Sequence, residues 1–527
     1  MKKNIIFICT DQHRRDTLSA YAPGTLCKTP ALDRLAAESV VFDNAYTTCP
    51  VCTPARSSMQ TGLYPSKTGM ETNSYQSGCS THELSDMPYL LSRRLQAAGY
   101  QCGYTGKWHL GVGRDKTATQ EGRSLMGMME KGFLDVAAYI GGGCVPTEVG
   151  YLGDDFPGHG AGGWGFPQFR EYLEQQGLEL TIEGCTGGKL PGDHSTIGEV
   201  TSPIETTIEY YLVERAKTIV EQMSEGDKPF YFQLNFWGPH EPYFAPTKYL
   251  DLYRNLSIPE NPTFAEDPSG APRSYDLIRR PEASWEFFQE TLRYYYACTT
   301  HIDAQIGRFV DWLKEKGLYD NTVILFSADH GDNQGCHGGL ENKSYSMYDD
   351  TTRIPLFLKP ARRAYGGYHQ DALVGTCDIY ATILREAGYE PHDEYGYGDG
   401  RPLDGFIDHP DQPWSDEIMS EGMGAASVIV TQRMFRKGRY KYVFNGVDRD
   451  QLFDLQTDPD EMHDLCGDPA FAGVLHDIRD ACADWMQAHG DPVRNGFCKL
   501  NRLKEWEIRY ADMGLRSPES VNLLHRQ

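Results

Sequence analysis

Short apolar runs alternate with helix-like segments along the first 390 or so residues, and this alternation is the strongest constraint on the fold. Residues 4–10, 229–237 and 322–327 have the length and the β-branched and aromatic content of buried strands. Helix-like stretches such as 208–223 and 285–316 lie between such runs. Strands separated by helices favour a large, mixed but mostly parallel sheet with helices on both faces. The predicted fold class is therefore α/β.

The pattern changes at two places along the chain. Residues 112–200 are rich in glycine and lack a clear period, which predicts a loop-rich insertion bordering a pocket. After about residue 400, residues 434–444 suggest antiparallel strands and residues 471–489 an amphipathic helix. We therefore expect a main domain over 1–400 and a smaller C-terminal α+β subdomain, with a small antiparallel sheet, a helix and a tail, over 401–527.

Charge and cysteine content exclude several classes of protein. The net charge of -24 argues against nucleic acid or an anionic membrane surface as a partner, because both require a basic face. The apolar run at residues 5–9 is too short for a signal peptide, and no stretch has the length of a transmembrane helix. Fourteen scattered cysteines without an export signal predict reduced thiols in a cytoplasmic protein. The Cys49 and Cys52 pair could still be a redox or metal pair.

Polar side chains follow four of the predicted strands. One such aspartate is most often a helix cap and one such histidine is most often structural, so the signal lies in their coincidence. Ligands of open α/β sheets bind at the carboxyl ends of the strands, which predicts one shared site. Carboxylate and amide oxygens with one imidazole suit a divalent cation beside an oxyanion substrate. The polar residues that follow the four strands are Asp11, Gln12, Lys107, His109, His240, Asp329 and His330.

Cys52 precedes a predicted helix in which Pro54 occupies the first turn. Backbone N–H groups at a helix N-terminus favour negative charge, so a cysteine there has a lowered pKa and is reactive. The alternative is a small buried residue, because free cysteine is commonly buried.

The segment CTPAR at residues 52–56, followed by Thr61 and Gly62, resembles the signature of the type I sulfatases of the alkaline phosphatase superfamily. Further family motifs are matched in order along nearly the whole chain. They are GYTGKWHLG (103–111), PHEPY (239–243), ADHGD (328–332), DIYATIL (378–384) and QLFDL with DPDE (451–461). The resemblance implies an alkaline phosphatase-like fold and hydrolysis of a sulfate ester to an alcohol and inorganic sulfate.

The resemblance also implies a modified nucleophile and a metal. A formylglycine-generating maturation enzyme would convert Cys52 to Cα-formylglycine (3-oxoalanine), whose hydrated aldehyde attacks sulfur. Ca²⁺ would be held by the modified Cys52 and by three further side chains, with Gln12 as an additional ligand. Many relatives have aspartate where this chain has Gln12, and the neutral amide leaves Mg²⁺ or Mn²⁺ open. The three further ligands are Asp11, Asp329 and His330.

The remaining roles follow from the same resemblance. Arg56, Lys107 and Lys343 would bind the sulfate group and spread the charge of the transition state. His109 would help to deprotonate the hydroxyl that expels sulfate, and His240 would bind substrate and protonate the leaving alcohol. The alternative for Lys343 is a solvated surface lysine.

Two other functions stay open at this point. Formylglycine-dependent phosphonate monoester or phosphodiester hydrolases share most of these residues, including a pair like Asp11 and Gln12, although residues 106–109 (GKWH) resemble the sulfatase version. A binding protein that kept the fold and lost the chemistry is the second alternative. The substrate is expected to be a small sulfated glycan, aryl or steroid sulfate, and the C-terminal tail makes a homo-oligomer plausible. Five aromatic residues of the insertion could stack on the substrate or belong to the core: Tyr139, Tyr151, Phe156, Trp164 and Phe166.

Overall fold

The computed structural model describes residues 2–74, 76, 79–111, 144–160, 162–186, 196–362, 364–425 and 428–501. The expectations for much of the glycine-rich insertion, including Tyr139, and for the C-terminal tail therefore lie outside the described residues.

Sixteen strands of the described residues form three sheets. In chain order they are β1 Asn4–Asp11, β2 Val40–Tyr46, β3 Gln101–Gly106, β4 Leu152–Gly153, β5 Ile182–Thr186, β6 Ile197–Val200, β7 Phe230–Pro239, β8 Tyr243–Pro246, β9 Thr322–Ala328, β10 Arg353–Ile354, β11 Leu356–Lys359, β12 Tyr368–Gly375, β13 Glu417–Ala425, β14 Val428–Lys437, β15 Tyr440–Phe444 and β16 Gln451–Asp454. The largest sheet has the order β10-β2-β11-β9-β1-β7-β3-β4, with β12 beside β2.

The large sheet is mixed and mostly parallel, as predicted. Strand β1 runs parallel to both β7 and β9, and β3 runs parallel to β7. Strand β11 is antiparallel to β9 and to β2. Four parallel strands in the order β9-β1-β7-β3 therefore place their carboxyl ends along one edge of the sheet.

Helices cover both faces of this sheet, because its central strands are apolar on both sides. On β1, Phe7 packs into the core on one face, and its neighbours Ile6 and Ile8 pack into the core on the other. The helices within the described residues are Pro30–Ala36, Cys52–Thr61, Pro65–Thr68, Leu91–Ala97, Pro167–Gln176, Ile208–Ser224, Thr247–Leu250, Trp285–Glu315, Cys336–Gly339, Asp349–Thr352, Thr376–Glu386 and Ala472–Ala488. The fold class α/β is confirmed.

The insertion contains more regular structure than the sequence predicts. The helix Pro167–Gln176 and the small sheet β5-β6-β8 lie within or beside it. This helix escapes a periodicity argument because Phe169 is its one fully buried residue. Among the candidate stacking residues that the structure describes, Tyr151, Phe156 and Phe166 are buried in the two cores, whereas Trp164 is half-buried.

The C-terminal region has its own antiparallel sheet in the order β13-β14-β15-β16. The helix Ala472–Ala488 packs on it through Leu475 and Trp485, in a separate hydrophobic cluster. This matches the predicted small sheet and helix, while the boundary at residue 400 stays a prediction. Within the described ranges, no helix has the length and apolar character needed to cross a membrane.

Two of the sequence motifs contact each other at Gly62. The helix Cys52–Thr61 ends there with φ = 70°, and a Cβ at this position would overlap the ring of Tyr380 on the helix Thr376–Glu386. A residue without a side chain is therefore required for the Cys52 helix to pack against the DIYATIL helix. This packing holds the C-terminal end of the Cys52 helix against the DIYATIL helix.

Candidate active site

The site lies at the carboxyl edge of the four parallel strands. Asp11 is the last residue of β1, and Asp329 directly follows β9. Lys107 directly follows β3, and His240 directly follows β7. Because these strands are neighbours, side chains from four distant parts of the sequence lie close together.

Cys52 is the first residue of a helix and is fully buried. Its Sγ lies 3.3 Å from His330 Nε2, 3.6 Å from Lys107 Nζ and 3.8 Å from Asp11 Oδ1. Burial and Asp11 raise the pKa of the Cys52 thiol, but Lys107, Lys343 and His330 together bring that pKa below its ordinary value. The structure therefore places this residue among charged groups and not in an apolar core.

Four buried side chains offer a set of metal-ligand atoms. One atom from each of Asp11, Cys52, Asp329 and His330 lies within 4.8 Å of the others. Two carboxylate oxygens, one imidazole nitrogen and the Cys52 position make a mainly hard donor set, which fits a divalent cation.

Arg56 holds the two carboxylates of this set. Its Nη2 donates to Asp11 Oδ2 at 2.7 Å, and its Nε donates to Asp329 Oδ2 at 3.0 Å. Lys107 Nζ also lies 2.7 Å from Asp11 Oδ2. Burial alone would raise the pKa of Asp11, but Lys107 and Arg56 hold it well below its usual range. Asp11 is therefore ionised at neutral pH and could serve as a metal ligand.

His330 presents its Nε2 to the cluster. Its Nδ1 is 2.9 Å from the carbonyl oxygen of Gly331 and must be the donor, because a carbonyl oxygen only accepts. In the neutral form of the ring the lone pair is therefore on Nε2, on the side of Cys52. Burial lowers the pKa of His330, but Asp329 and Cys52 raise it above its ordinary value. Metal-bound histidines are commonly oriented by such a hydrogen bond from the second ring nitrogen.

Gln12 has φ = 56° and connects the metal-ligand cluster to Lys343. The Nζ of Lys343 donates to Gln12 Oε1, and Gln12 Nε2 donates to Asp332 Oδ2 at 2.7 Å. Lys343 is 6% exposed, so the alternative of a surface lysine is excluded. The sequence did not single out Asp332 as a site residue, although it is the last residue of the ADHGD motif. Its contact with Gln12 shows that it orients this amide.

Neutral imidazoles line another part of the site. The Nδ1 of His109 is buried and has no hydrogen-bond partner among the described residues. Burial, His159 and Lys107 hold the pKa of His109 well below its ordinary value. Burial and Lys343 likewise hold the pKa of His240 well below its ordinary value, and its Nδ1 donates to the carbonyl oxygen of Glu241 at 2.7 Å.

His159 is a member of this group that sequence reasoning missed. Its ring centroid lies 4.7 Å from that of His109 and 5.2 Å from that of His240. The only local signal is the pair of flanking glycines, Gly158 and Gly160, in a segment that is glycine-rich throughout.

A family model described as Sulfatase matches residues 3–389. The chain belongs to the sulfatase family. It is a type I sulfatase of the alkaline phosphatase superfamily and thus a sulfuric ester hydrolase, in agreement with the motifs at residues 52–56 and 103–111. A second model, described as N-sulphoglucosamine sulphohydrolase, C-terminal, matches residues 335–487 of this sulfatase.

Similar proteins match the sulfatase over nearly its whole length. The uncharacterized sulfatase YidJ of Escherichia coli strain K12 is 28% identical, over 94% of this chain and 89% of that protein. The multifunctional alkaline phosphatase superfamily protein PehA of Trinickia caryophylli is 29% identical, over 93% of this chain and 96% of that protein. The phosphonate monoester hydrolase SpPMH from Silicibacter pomeroyi is similar in structure, with a TM-score of 0.70 and 22% identity over 93% of this chain and 96% of that one. The last likeness shows a shared fold.

Proposed function

We propose that this sulfatase hydrolyses a sulfate ester to an alcohol and inorganic sulfate, with a formylglycine derived from Cys52 and a bound Ca²⁺. The observation that supports this most strongly is the position of Cys52, at the first turn of a helix and within 4.8 Å of ligand atoms of Asp11, Asp329 and His330. The modification requires a formylglycine-generating maturation enzyme in the host.

The donor set favours a hard divalent cation. The groups that would hold it are two buried carboxylates, the imidazole nitrogen of His330 and the amide oxygen of Gln12. Gln12 supplies no charge, so the site is less negative than one with a third carboxylate, and Mg²⁺ or Mn²⁺ are alternatives to Ca²⁺. When bound, the cation polarises the sulfate oxygens, and the formylglycine hydrate supplies the nucleophile.

Lys107 and Lys343 are the buried ammonium groups that we assign to the sulfate oxygens. The positive charge of each lysine lowers the pKa of the Cys52 thiol, so both charges act at the Cys52 position. The three guanidinium nitrogens of Arg56 donate to Asp11, Asp329 and the carbonyl oxygen of Lys107. We therefore propose that Arg56 holds the metal ligands in position. A contact between Arg56 and the sulfate group is an additional prediction from the family.

The histidines move protons. His109 is neutral and its buried Nδ1 has no partner among the described side chains, so it can accept the proton of the hydroxyl that expels sulfate. His240 is neutral in the free enzyme because burial and Lys343 lower its pKa. An anionic ester bound beside Lys343 offsets the charge of the lysine, which favours protonation of His240 in the complex. His240 can then protonate the leaving alcohol.

A phosphonate or phosphate ester hydrolase is the second candidate function. The neutral Gln12 beside Asp11 favours it, and the similarity to the fold of the phosphonate monoester hydrolase SpPMH is compatible with it. The presence of Lys107 and His109 in the GKWH segment favours the sulfatase activity.

A comparison of kcat/KM for an aryl sulfate and for an aryl phosphodiester tests the proposal. We expect the purified, formylglycine-containing enzyme to prefer the sulfate, and Cys52→Ala to abolish turnover of both. A preference for the phosphodiester by several orders of magnitude would overturn the proposed function. A panel of sulfated sugars, aryl sulfates and a steroid sulfate then identifies the alcohol.

A further inference from the structure

The loop that carries His159 is hydrogen-bonded to strand β7, which leads to His240, and to the segment after β3 that contains His109. The backbone N–H of Gly158 donates to the carbonyl oxygen of Gly111 at 3.0 Å, two residues beyond His109. Trp237 Nε1 donates to the carbonyl oxygen of His159 at 2.8 Å, and Trp237 lies three residues before His240 on β7. The loop therefore bridges the ends of β3 and β7.

The packing of this loop is tight on the side away from the site. Gly160 has φ = 79°, and a Cβ there would lie 2.5 Å from Phe166 Cε2 and 3.0 Å from Trp237 Nε1. Phe156 and Phe166 contact the Trp237 ring at centroid distances of 5.2 and 5.8 Å. Any residue with a side chain at position 160 is excluded, so the backbone next to His159 is held in place.

The His159 ring lies edge-on to both catalytic histidines. Its plane makes angles of 76° with His109 and 65° with His240. The side chain is half-buried and not enclosed completely by its neighbours. Burial and Lys107 hold the pKa of His159 well below its ordinary value, with Lys343 acting in the same direction. At neutral pH the ring is uncharged and keeps one N–H donor.

We propose that His159 is a further substrate-contacting residue, which donates a hydrogen bond to the oxygen of the departing alcohol beside His240. This inference rests on the proposed function, in which His240 protonates that oxygen. As the S–O bond breaks, its electron pair moves to the alcohol oxygen, and the proton comes from His240. His159 keeps its own proton and stabilises the negative charge that develops before the transfer is complete.

A hydrogen bond of this kind matters most for poor leaving groups. An alcohol of high pKa carries more unneutralised charge as its bond to sulfur breaks, so it gains more from a second donor. The role of His159 is therefore visible in the dependence of the rate on the leaving group, which a purely structural role does not change.

The experiment measures kcat/KM of formylglycine-containing wild-type enzyme and of His159→Phe with a series of substituted phenyl sulfates. Phenylalanine keeps a ring between His109 and His240 but removes the donor. We expect a loss of about 10- to 100-fold for phenyl sulfate and of less than about threefold for 4-nitrophenyl sulfate. His159→Gln, which keeps a side-chain N–H, is expected to recover part of the loss for phenyl sulfate. If His159→Phe does not fold, His159→Leu takes its place.

His369→Phe is the matched control, because His369 is exposed and contacts Asp43 through its Nδ1 at 2.9 Å, away from the site. Its rates are expected to equal those of the wild type. An equal loss for every leaving group, or no loss at all, would overturn the role of His159 while leaving the sulfatase activity intact. A wild-type enzyme that hydrolyses none of the sulfate esters in the panel would instead refute the proposed function, and the role of His159 with it.

Discussion

The guanidinium of Arg56 donates to the carboxylate of Asp11 across 2.7 Å in the interior of the protein. The same side chain reaches Asp329, so one residue of the Cys52 helix contacts the ends of both β1 and β9. Cys52 lies four residues before Arg56 on the same helix. One side chain of the helix that begins at Cys52 therefore holds the two carboxylates beside Cys52.

Replacing Arg56 by methionine is expected to destabilise the protein. The change leaves two buried carboxylates with one fewer cation, and breaking a buried ion pair on one side typically costs about 3–5 kcal/mol. Urea denaturation of Arg56→Met and of the wild type measures this loss. The matched control is Arg362→Met, whose exposed pair with Asp408 at 3.0 Å is expected to contribute less than about 1 kcal/mol. Equal stabilities of the two variants would contradict the assignment of Arg56.

Removal of the metal is expected to lower both activity and thermal stability. The bound cation offsets the negative charge of Asp11 and Asp329, so a chelator should lower Tm, and added Ca²⁺ should restore it. Asp329→Asn is expected to weaken Ca²⁺ affinity by at least about tenfold in isothermal titration calorimetry. Asp477→Asn, at an exposed position of the helix Ala472–Ala488, should bind as the wild type does. Unchanged affinity in Asp329→Asn would remove this residue from the ligand set.

The loss of kcat/KM at low pH is expected to follow the protonation of His109. Its neutral form accepts the proton, and because burial, His159 and Lys107 depress the pKa of His109, activity should persist as the pH falls below about 6.5. Activity is then lost as the pH falls through the depressed value. Lys107→Met removes a nearby cation and should move the acid limb of kcat/KM to higher pH, besides lowering the rate. A limb that stays in place in Lys107→Met would show that another group titrates.

Local sequence patterns predicted the elements that bury apolar side chains. The runs at residues 4–10 and 322–327 form β1 and β9, and successive residues such as Ile6 and Phe7 pack into opposite cores. The polar helix Pro167–Gln176 was missed, because it buries one residue fully and so has no apolar stripe.

Site residues that belong to one sequence motif could be predicted. Site residues that are positioned by tertiary contacts could not. Cys52 could be placed at a helix start from Pro54 alone, and its neighbours followed from the strand ends. The position of His159 depends on the hydrogen bonds of Gly158 to Gly111 and of Trp237 to His159, whose partners are distant in sequence. Lys343 is likewise buried in contact with Gln12, which is distant in sequence. The local sequence therefore predicts neither the position of His159 nor the burial of Lys343.

The state of Cys52 is the most direct test of the account. Mass spectrometry of the peptide that contains Cys52 gives the fraction of aldehyde in each preparation, and the same preparations give kcat for an aryl sulfate. We predict that kcat rises in proportion to the aldehyde fraction and that Cys52→Ala, with its fold checked by circular dichroism, has no measurable turnover. Full activity in a preparation that carries only the thiol, or in Cys52→Ala, would contradict the account.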